Sequence, residues 1–359
     1  MEDFAVVGMG PPGSQFARRA ADAGYDVVGF ERGEVGSPLA CSGHVSLDIW
    51  DYLPADAPAN LRQNEIRGAR FRLGGPDASA HPFYKETPVS NVIDRVGLDR
   101  TLADLAAAAG ADVREHHVVS EIEELSDRVR LSVTGPDGPT TVEAKMVVGA
   151  DGPQSTVRRQ LGLPEPDEQL SGVLVHVEEP DEGDFVDVHL TVPTFFAWRI
   201  PRGRAGVEYG LATPQSLDAM GRLDELLAAY RAEPAARFAG SIPIGPPETV
   251  SSRRGFLLGD AAAQTKPFTG GGILYGLRSA EIAVDAVDPD DPDSLAKYES
   301  GWRAALGREI ALGSLIRRGY SAPTLIQRAG LWAFSGEIGV HMDEPTSLFS
   351  REQVRALFR

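Results

Sequence analysis

Apolar residues fall along this chain in two rhythms. Phe4-Ala5-Val6-Val7, Tyr25 to Phe30 and Met146-Val147-Val148 are short, nearly unbroken runs, which suit strands buried on both faces. Ser14 to Ala23 reads as a helix closed by Gly24. Residues 46–63 read as helical and acidic, and Asp99 to Ala109 as an alanine-rich helix ended by Gly110. Alternation or β-like composition marks strands at 69–73, 113–119, 121–125, 129–133 and 140–148. It does so again at 172–177, 186–191, 195–200 and 205–211. An amphipathic helix is expected at 217–232, a long one after Gly272, and mostly helix beyond 287. The two rhythms predict discontinuous lobes: 1–65, 91–165 and 251–286 in one, 66–90 and 166–250 in a second, and 287–359 as a helical region.

Three glycine-rich segments sit where apolar strands end. The first is Gly8-Met9-Gly10-Pro11-Pro12-Gly13. Gly8 permits a tight turn, Gly10 a close approach of backbone to a pyrophosphate, and Gly13 close packing of helix on strand. The helix start adds free N–H groups and a positive dipole end. Glu31, at the end of the next strand, lies at the usual spacing for an adenosine ribose. The second segment is Gly149-Ala150-Asp151-Gly152-Pro153-Gln154-Ser155, with Ser155 as a helix cap. The third is Gly259-Asp260, continued by Pro267-Phe268-Thr269-Gly270-Gly271-Gly272. Asp260 at the end of a buried strand needs a partner, and a ribityl or ribose hydroxyl is a natural one. The first segment by itself does not separate NAD from FAD. Together the three point to FAD.

Composition excludes more than it selects. The formal charge is −17, from 52 acids against 35 lysines and arginines, with no basic tract to neutralise a nucleic acid. Only Lys85, Lys145, Lys266 and Lys297 are lysines. Excess acid with so little lysine resembles proteins of salt-loving archaea, where salt screens the self-repulsion. One cysteine, Cys41, leaves no intrachain disulfide or cysteine-ligated cluster. The histidines show no metal-ligand spacing, so no metal is expected. No apolar run is long enough to cross a bilayer and no leader is visible, so a cytoplasmic protein is expected.

In this order, the three segments resemble the p-hydroxybenzoate hydroxylase-fold flavoproteins. Val92-Ile93-Asp94-Arg95 is similar to the segment whose arginine contacts the FAD pyrophosphate in that group, which makes Arg95 the candidate. The resemblance implies an α/β fold: a Rossmann-like FAD-binding domain, an antiparallel β-sheet substrate domain and a C-terminal helical region. Two stretches narrow it to the geranylgeranyl reductases. Pro38-Leu39-Ala40-Cys41-Ser42-Gly43-His44-Val45-Ser46 resembles that family's cysteine-containing loop. Pro193-Thr194-Phe195-Phe196-Ala197-Trp198-Arg199-Ile200-Pro201 resembles its PxxYxWxFP pattern, with Phe196 and Ile200 replacing the tyrosine and phenylalanine. Phe196, Trp198 and Ile200, at alternate strand positions, would line one wall of a slot for an isoprenoid chain.

The resemblance implies hydride delivery from flavin N5 to an isolated alkene, with a proton from Cys41, Tyr275, His44 or bound water. The lost tyrosine hydroxyl removes one possible proton donor. The electron donor is open between NAD(P)H, ferredoxin and a deazaflavin. A flavin monooxygenase or halogenase of the same fold, or a flavin-bearing electron-transfer or lipid-carrier protein, are the rival readings. A lipid substrate further implies peripheral membrane contact, for which the run from Leu325 to Val340 is the candidate surface.

Overall fold

The computed structural model describes residues 1–37, 40–336 and 341–349. The chain opens with β1 (Glu2–Val7), α1 (Pro11–Asp22) and β2 (Val27–Phe30). β3 (His44–Ser46), α2 (Ala57–Leu61), β4 (Arg62–Ile66), β5 (Gly68–Arg72), β6 (Ala80–Tyr84) and β7 (Ser90–Ile93) follow. Next come α3 (Arg95–Ala108), β8 (Asp112–Arg114), β9 (Val118–Glu124), β10 (Val129–Gly135), β11 (Gly138–Gly149) and α4 (Thr156–Gln160). The second half holds β12 (Glu168–Val177), β13 (Phe185–His189), β14 (Ala197–Pro201), β15 (Val207–Pro214), α5 (Ala219–Tyr230), β16 (Ala236–Ile244) and β17 (Gly255–Leu257). It ends with α6 (Ile273–Ala286), α7 (Leu295–Arg318) and α8 (Thr324–Phe334).

The first sheet runs β8-β2-β1-β11-β10-β9, with β17 also on β11. β1, β2, β8, β11 and β17 pair in parallel. Phe4, Ala5, Val6, Val147 and Val148 are wholly buried, as strands covered on both faces require. The second sheet, β16-β12-β15-β14-β13-β5-β6, is antiparallel except where β13 meets β5. Helix α5 covers one of its faces, packing Leu223 and Leu227 on Val173, Val175 and Leu211. A small third sheet, β3-β7-β4, joins the two.

Several elements depart from the expected pattern. The helix expected over 46–63 is a 3-10 turn (Leu47–Tyr52), the short α2 and strand β4. Pro54 breaks the run, because proline removes a donor and restricts the residue before it. Strands β6 and β16 were not expected. Both lie at sheet edges, where exposure erases the apolar alternation and Pro82 is tolerated. The strand expected over 113–119 is broken at His116, whose φ is +57°.

Candidate active site

The three glycine segments meet at one end of the parallel sheet. Val7, Gly149 and Leu257 lie level in register, so each segment leaves its strand at the carboxyl edge, where such sheets bind ligands. Gly8 has a φ of +92°, and a Cβ there would strike the Ala150 carbonyl. A Cβ on Gly13 would strike the Gly8 carbonyl, and one on Gly259 would come within 2.8 Å of Pro12. These glycines let the three segments touch. Gly10 and Gly152 differ: a Cβ at either would enter open space, as a backbone that faces a ligand requires. Glu31 Oε2 accepts from Met9 N at 3.1 Å, so the ribose candidate also braces the first loop. Pro11 and Pro12 occupy the first positions of α1 and carry no N–H. The dipole end therefore offers fewer donors than the glycine pattern suggested.

The two aspartates behave differently. Asp151 accepts from Ser155 Oγ at 2.5 Å, Thr156 N at 2.6 Å and Val157 N at 3.1 Å. Its carboxylate holds the start of α4, and Ser155 caps the same helix through Arg158 N. Burial raises its pKa, against those hydrogen bonds. Asp260 sits in a 3-10 turn after β17, and its carboxylate accepts no protein hydrogen bond among the described residues. Enclosure by protein pushes its pKa up to about 6, with Arg95 pulling the other way. A Cβ on Gly272 would lie 2.5 Å from Asp260 Oδ1, so this orphaned carboxylate faces the last glycine segment. A half-buried, unpartnered acceptor at the same sheet edge as the open Gly10 and Gly152 fits a cofactor that brings hydroxyls and a pyrophosphate.

The cysteine loop closes the site from the other side. Pro38 and Leu39 lie outside the described residues. Ala40 reaches β16, since a Cβ on Gly240 would lie 3.2 Å from its Cβ. Cys41 is partly exposed, and Arg95 Nη1 donates to its sulfur at 3.0 Å. Arg95 Nη2 donates to the buried Asp99 at 2.6 Å. Burial opposes the guanidinium charge, but Asp99 and the sulfur more than offset this, so Arg95 stays protonated. Its Nε is buried without a partner among the described residues.

The other two proton candidates are bound up elsewhere. His44 Nε2 lies 2.7 Å from Ser90 Oγ. Burial and the nearby Lys266 push its pKa down to about 4, so the ring is neutral at pH 7. Tyr275 donates to the Asp343 carbonyl at 2.8 Å, and burial makes its phenol harder to ionise. Lys266, which the sequence reading did not single out, donates to Asp343 at 2.6 Å with both side chains buried. A Cβ on Gly271 would lie 2.9 Å from Lys266 Cε. Its being one of four lysines in an arginine-rich chain was the sequence signal for it.

From the glycine loop an aromatic wall leads away. A Cβ on Gly270 would lie 3.2 Å from both the Phe195 ring and Ile242. Phe195 stacks on Phe196 at 4.5 Å, and Phe196 meets Trp198 edge-on at 5.9 Å. Phe196, Trp198 and Ile200 share one apolar cluster with Val186, Val188 and Ala212. Trp198 lies over Gly210 on the next strand, where a side chain would collide with the indole.

Comparison with known proteins agrees with this geometry. Residues 2–199 match the FAD binding domain family. A digeranylgeranylglycerophospholipid reductase of Methanothrix thermoacetophila is 31% identical, over 86% of this chain and 85% of its own. A second, from Methanothermobacter thermautotrophicus, is likewise 31% identical over the same shares. Among solved structures, a geranylgeranyl bacteriochlorophyll reductase-like protein of Thermoplasma acidophilum superposes with a TM-score of 0.85 at 23% identity, covering 99% of this chain and 95% of its own. A p-nitrophenol 4-monooxygenase of Pseudomonas putida gives 0.76 at 18% identity, covering 100% and 97%. The chain is an FAD-dependent oxidoreductase and belongs to the digeranylgeranylglycerophospholipid reductase family.

Proposed function

We propose that this protein saturates isolated carbon–carbon double bonds in the geranylgeranyl chains of a membrane ether lipid. One observation carries the reading: the glycine loop of the cofactor site abuts an aromatic wall in the neighbouring sheet. An isoprenoid chain has no polar handle along its length, so an apolar wall is what can hold it.

When bound and reduced by an external donor, FAD supplies the hydride. The protein does the rest. Asp260 and Glu31 hold hydroxyls, and Gly10 and Gly152 let phosphate oxygens approach the backbone. Phe196, Trp198 and Ile200 fix the alkene and keep the site dry. Cys41 gives up the proton. Of the three candidates, it is the one whose proton-bearing atom is hydrogen-bonded by a guanidinium. Arg95 stands ready to stabilise the thiolate, which regains its proton from solvent. His44 is already neutral, and the Tyr275 hydroxyl is engaged.

The lipid is collected at a membrane surface. No described helix is long and apolar enough to cross a membrane. Helix α8 buries none of its residues, and Leu325 and Trp332 are 79% and 77% exposed. Ile326 and Phe334 are exposed with them, while Ile338 and Val340 lie outside the described residues. A helix this apolar and this exposed suits insertion of its face into the headgroup layer.

The reading is tested by product mass. Dithionite-reduced holoenzyme incubated with digeranylgeranylglycerophospholipid should yield species heavier by two hydrogens per saturated bond. Oxygen insertion, or an unchanged lipid, would refute it.

A further inference from the structure

Beyond β14, at the end of the wall away from the glycine loop, lies a cleft of about 540 Å³. Arg62, Arg202 and Arg204 line it, with Gln63 and one acid, Glu182. Three arginines in one cleft run against the bulk charge of −17.

The cleft is built into the wall. Arg202 lies one residue past β14 and reaches the same carboxylate as Trp198 of the wall. It is buried, and Nη1 donates to Glu208 Oε2 at 3.1 Å and lies 2.8 Å from His176 Nε2. Glu208 is wholly buried and sits opposite Ile200 on β15. Its other oxygen accepts from Trp198 Nε1 at 2.8 Å. One carboxylate thus clasps the indole of the wall and the guanidinium of the cleft.

That clasp uses a single nitrogen of Arg202. Among the described residues, Nε and Nη2 donate to nothing. Arg62 is half-spent on Glu65 through Nη1 at 2.6 Å, and exposed Arg204 has no partner among the described residues. Gln63 Oε1 is buried and accepts no hydrogen bond among the described residues. The cleft therefore presents forked cationic donors and one unsatisfied acceptor.

We infer that this cleft binds the phosphate of the lipid head, a phosphate ester, while the isoprenoid chain lies back along the wall. The inference rests on the reductase reading above and adds the head-group site to it. Guanidinium forks match phosphate oxygens, and Gln63 is placed to accept from a hydroxyl or ammonium of the head. From Phe196 to Arg202 is six residues, about 20 Å at strand rise, a span suited to an extended C20 chain.

The test uses FAD-loaded enzyme and two lipids, the phosphate-headed diether and the same diether with a free hydroxyl. Equilibrium binding and turnover are both measured. Arg204→Glu, at an exposed residue away from wall and flavin, should weaken binding and raise KM for the phosphate-headed lipid about tenfold. FAD content and all constants for the hydroxyl-headed diether should stay unchanged. Inorganic phosphate should compete with the phosphate-headed lipid in the wild type only. Arg62→Gln should act in the same direction, more weakly. Equal effects on both lipids, or none, would overturn the assignment. Loss of inorganic phosphate binding with both lipids untouched would also overturn it, and would leave a free-phosphate site. If the wild type reduces neither lipid, the reductase reading fails, and selective tenfold weakening of lipid binding still decides the cleft.

Discussion

Replacing Asp260 by Asn should make the protein more stable and its cofactor looser at once. The carboxylate is half-buried and has no protein hydrogen-bond partner among the described residues, and burial pushes its pKa up to about 6 from an ordinary value of 3.8. A rise of about two units corresponds to about 3 kcal/mol of unfavourable burial at pH 7, as an upper figure. Between those two values the folded state binds more protons than the unfolded one. Stability of the flavin-free protein therefore falls as pH rises from about 4 to about 6, then levels off. Asn is nearly isosteric and carries no charge. Flavin-free Asp260→Asn should match the wild type near pH 4 and exceed it by about 1–3 kcal/mol at pH 7. Flavin retention should move the other way, because a charged acceptor of cofactor hydroxyls is lost. Denaturant unfolding of stripped protein across this pH range, with flavin titration alongside, reads both effects. A less stable flavin-free variant at pH 7 would mean that the carboxylate is already satisfied by protein. Unchanged flavin affinity would remove Asp260 from the cofactor site.

Trp198→Ala should raise KM for geranylgeranyl lipid, by about 2–4 kcal/mol of lost apolar contact, while flavin content stays normal; unchanged turnover in a folded variant would move the slot elsewhere. Cys41→Ala should lower kcat at least a hundredfold with FAD retained, and wild-type rates would take the proton from another source. Trp332→Glu should abolish flotation with anionic liposomes. Wild-type binding should strengthen as salt rises and screens the repulsion between lipid and an acidic protein, whereas weakening with salt would contradict an apolar contact.

The cofactor half of the fold was legible because its signals are local. Strand, glycine turn and helix follow one another within a few residues, and the sequence alone places Gly8, Gly10 and Gly13 in one loop and Glu31 at the end of the next strand. The Asp260 carboxylate could be singled out because an acid at the end of an apolar strand is costly without a partner. Asp151 looked alike in sequence, yet its oxygens serve a helix cap, a distinction set by backbone geometry a few residues on. The antiparallel sheet was harder to read. Edge strands β6 and β16 carry too little apolar alternation to be seen. The Glu208 clasp joins residues brought together only by strand register. The Lys266–Asp343 pair links positions 77 residues apart, and no local pattern encodes it. The exposed helix α8 reads as an apolar run in either case; only the fold shows that its face is left uncovered.

Flavin and isoprenoid are expected to meet between the glycine loop and the aromatic wall. The most direct measurement is anaerobic single turnover of stoichiometrically reduced holoenzyme with digeranylgeranylglycerophospholipid, following flavin absorbance and lipid mass together. Reoxidation of one flavin for each pair of hydrogens gained by the lipid, slowed in Trp198→Ala, is the predicted result. Flavin that stays reduced beside an unaltered lipid would mean that the two do not meet there.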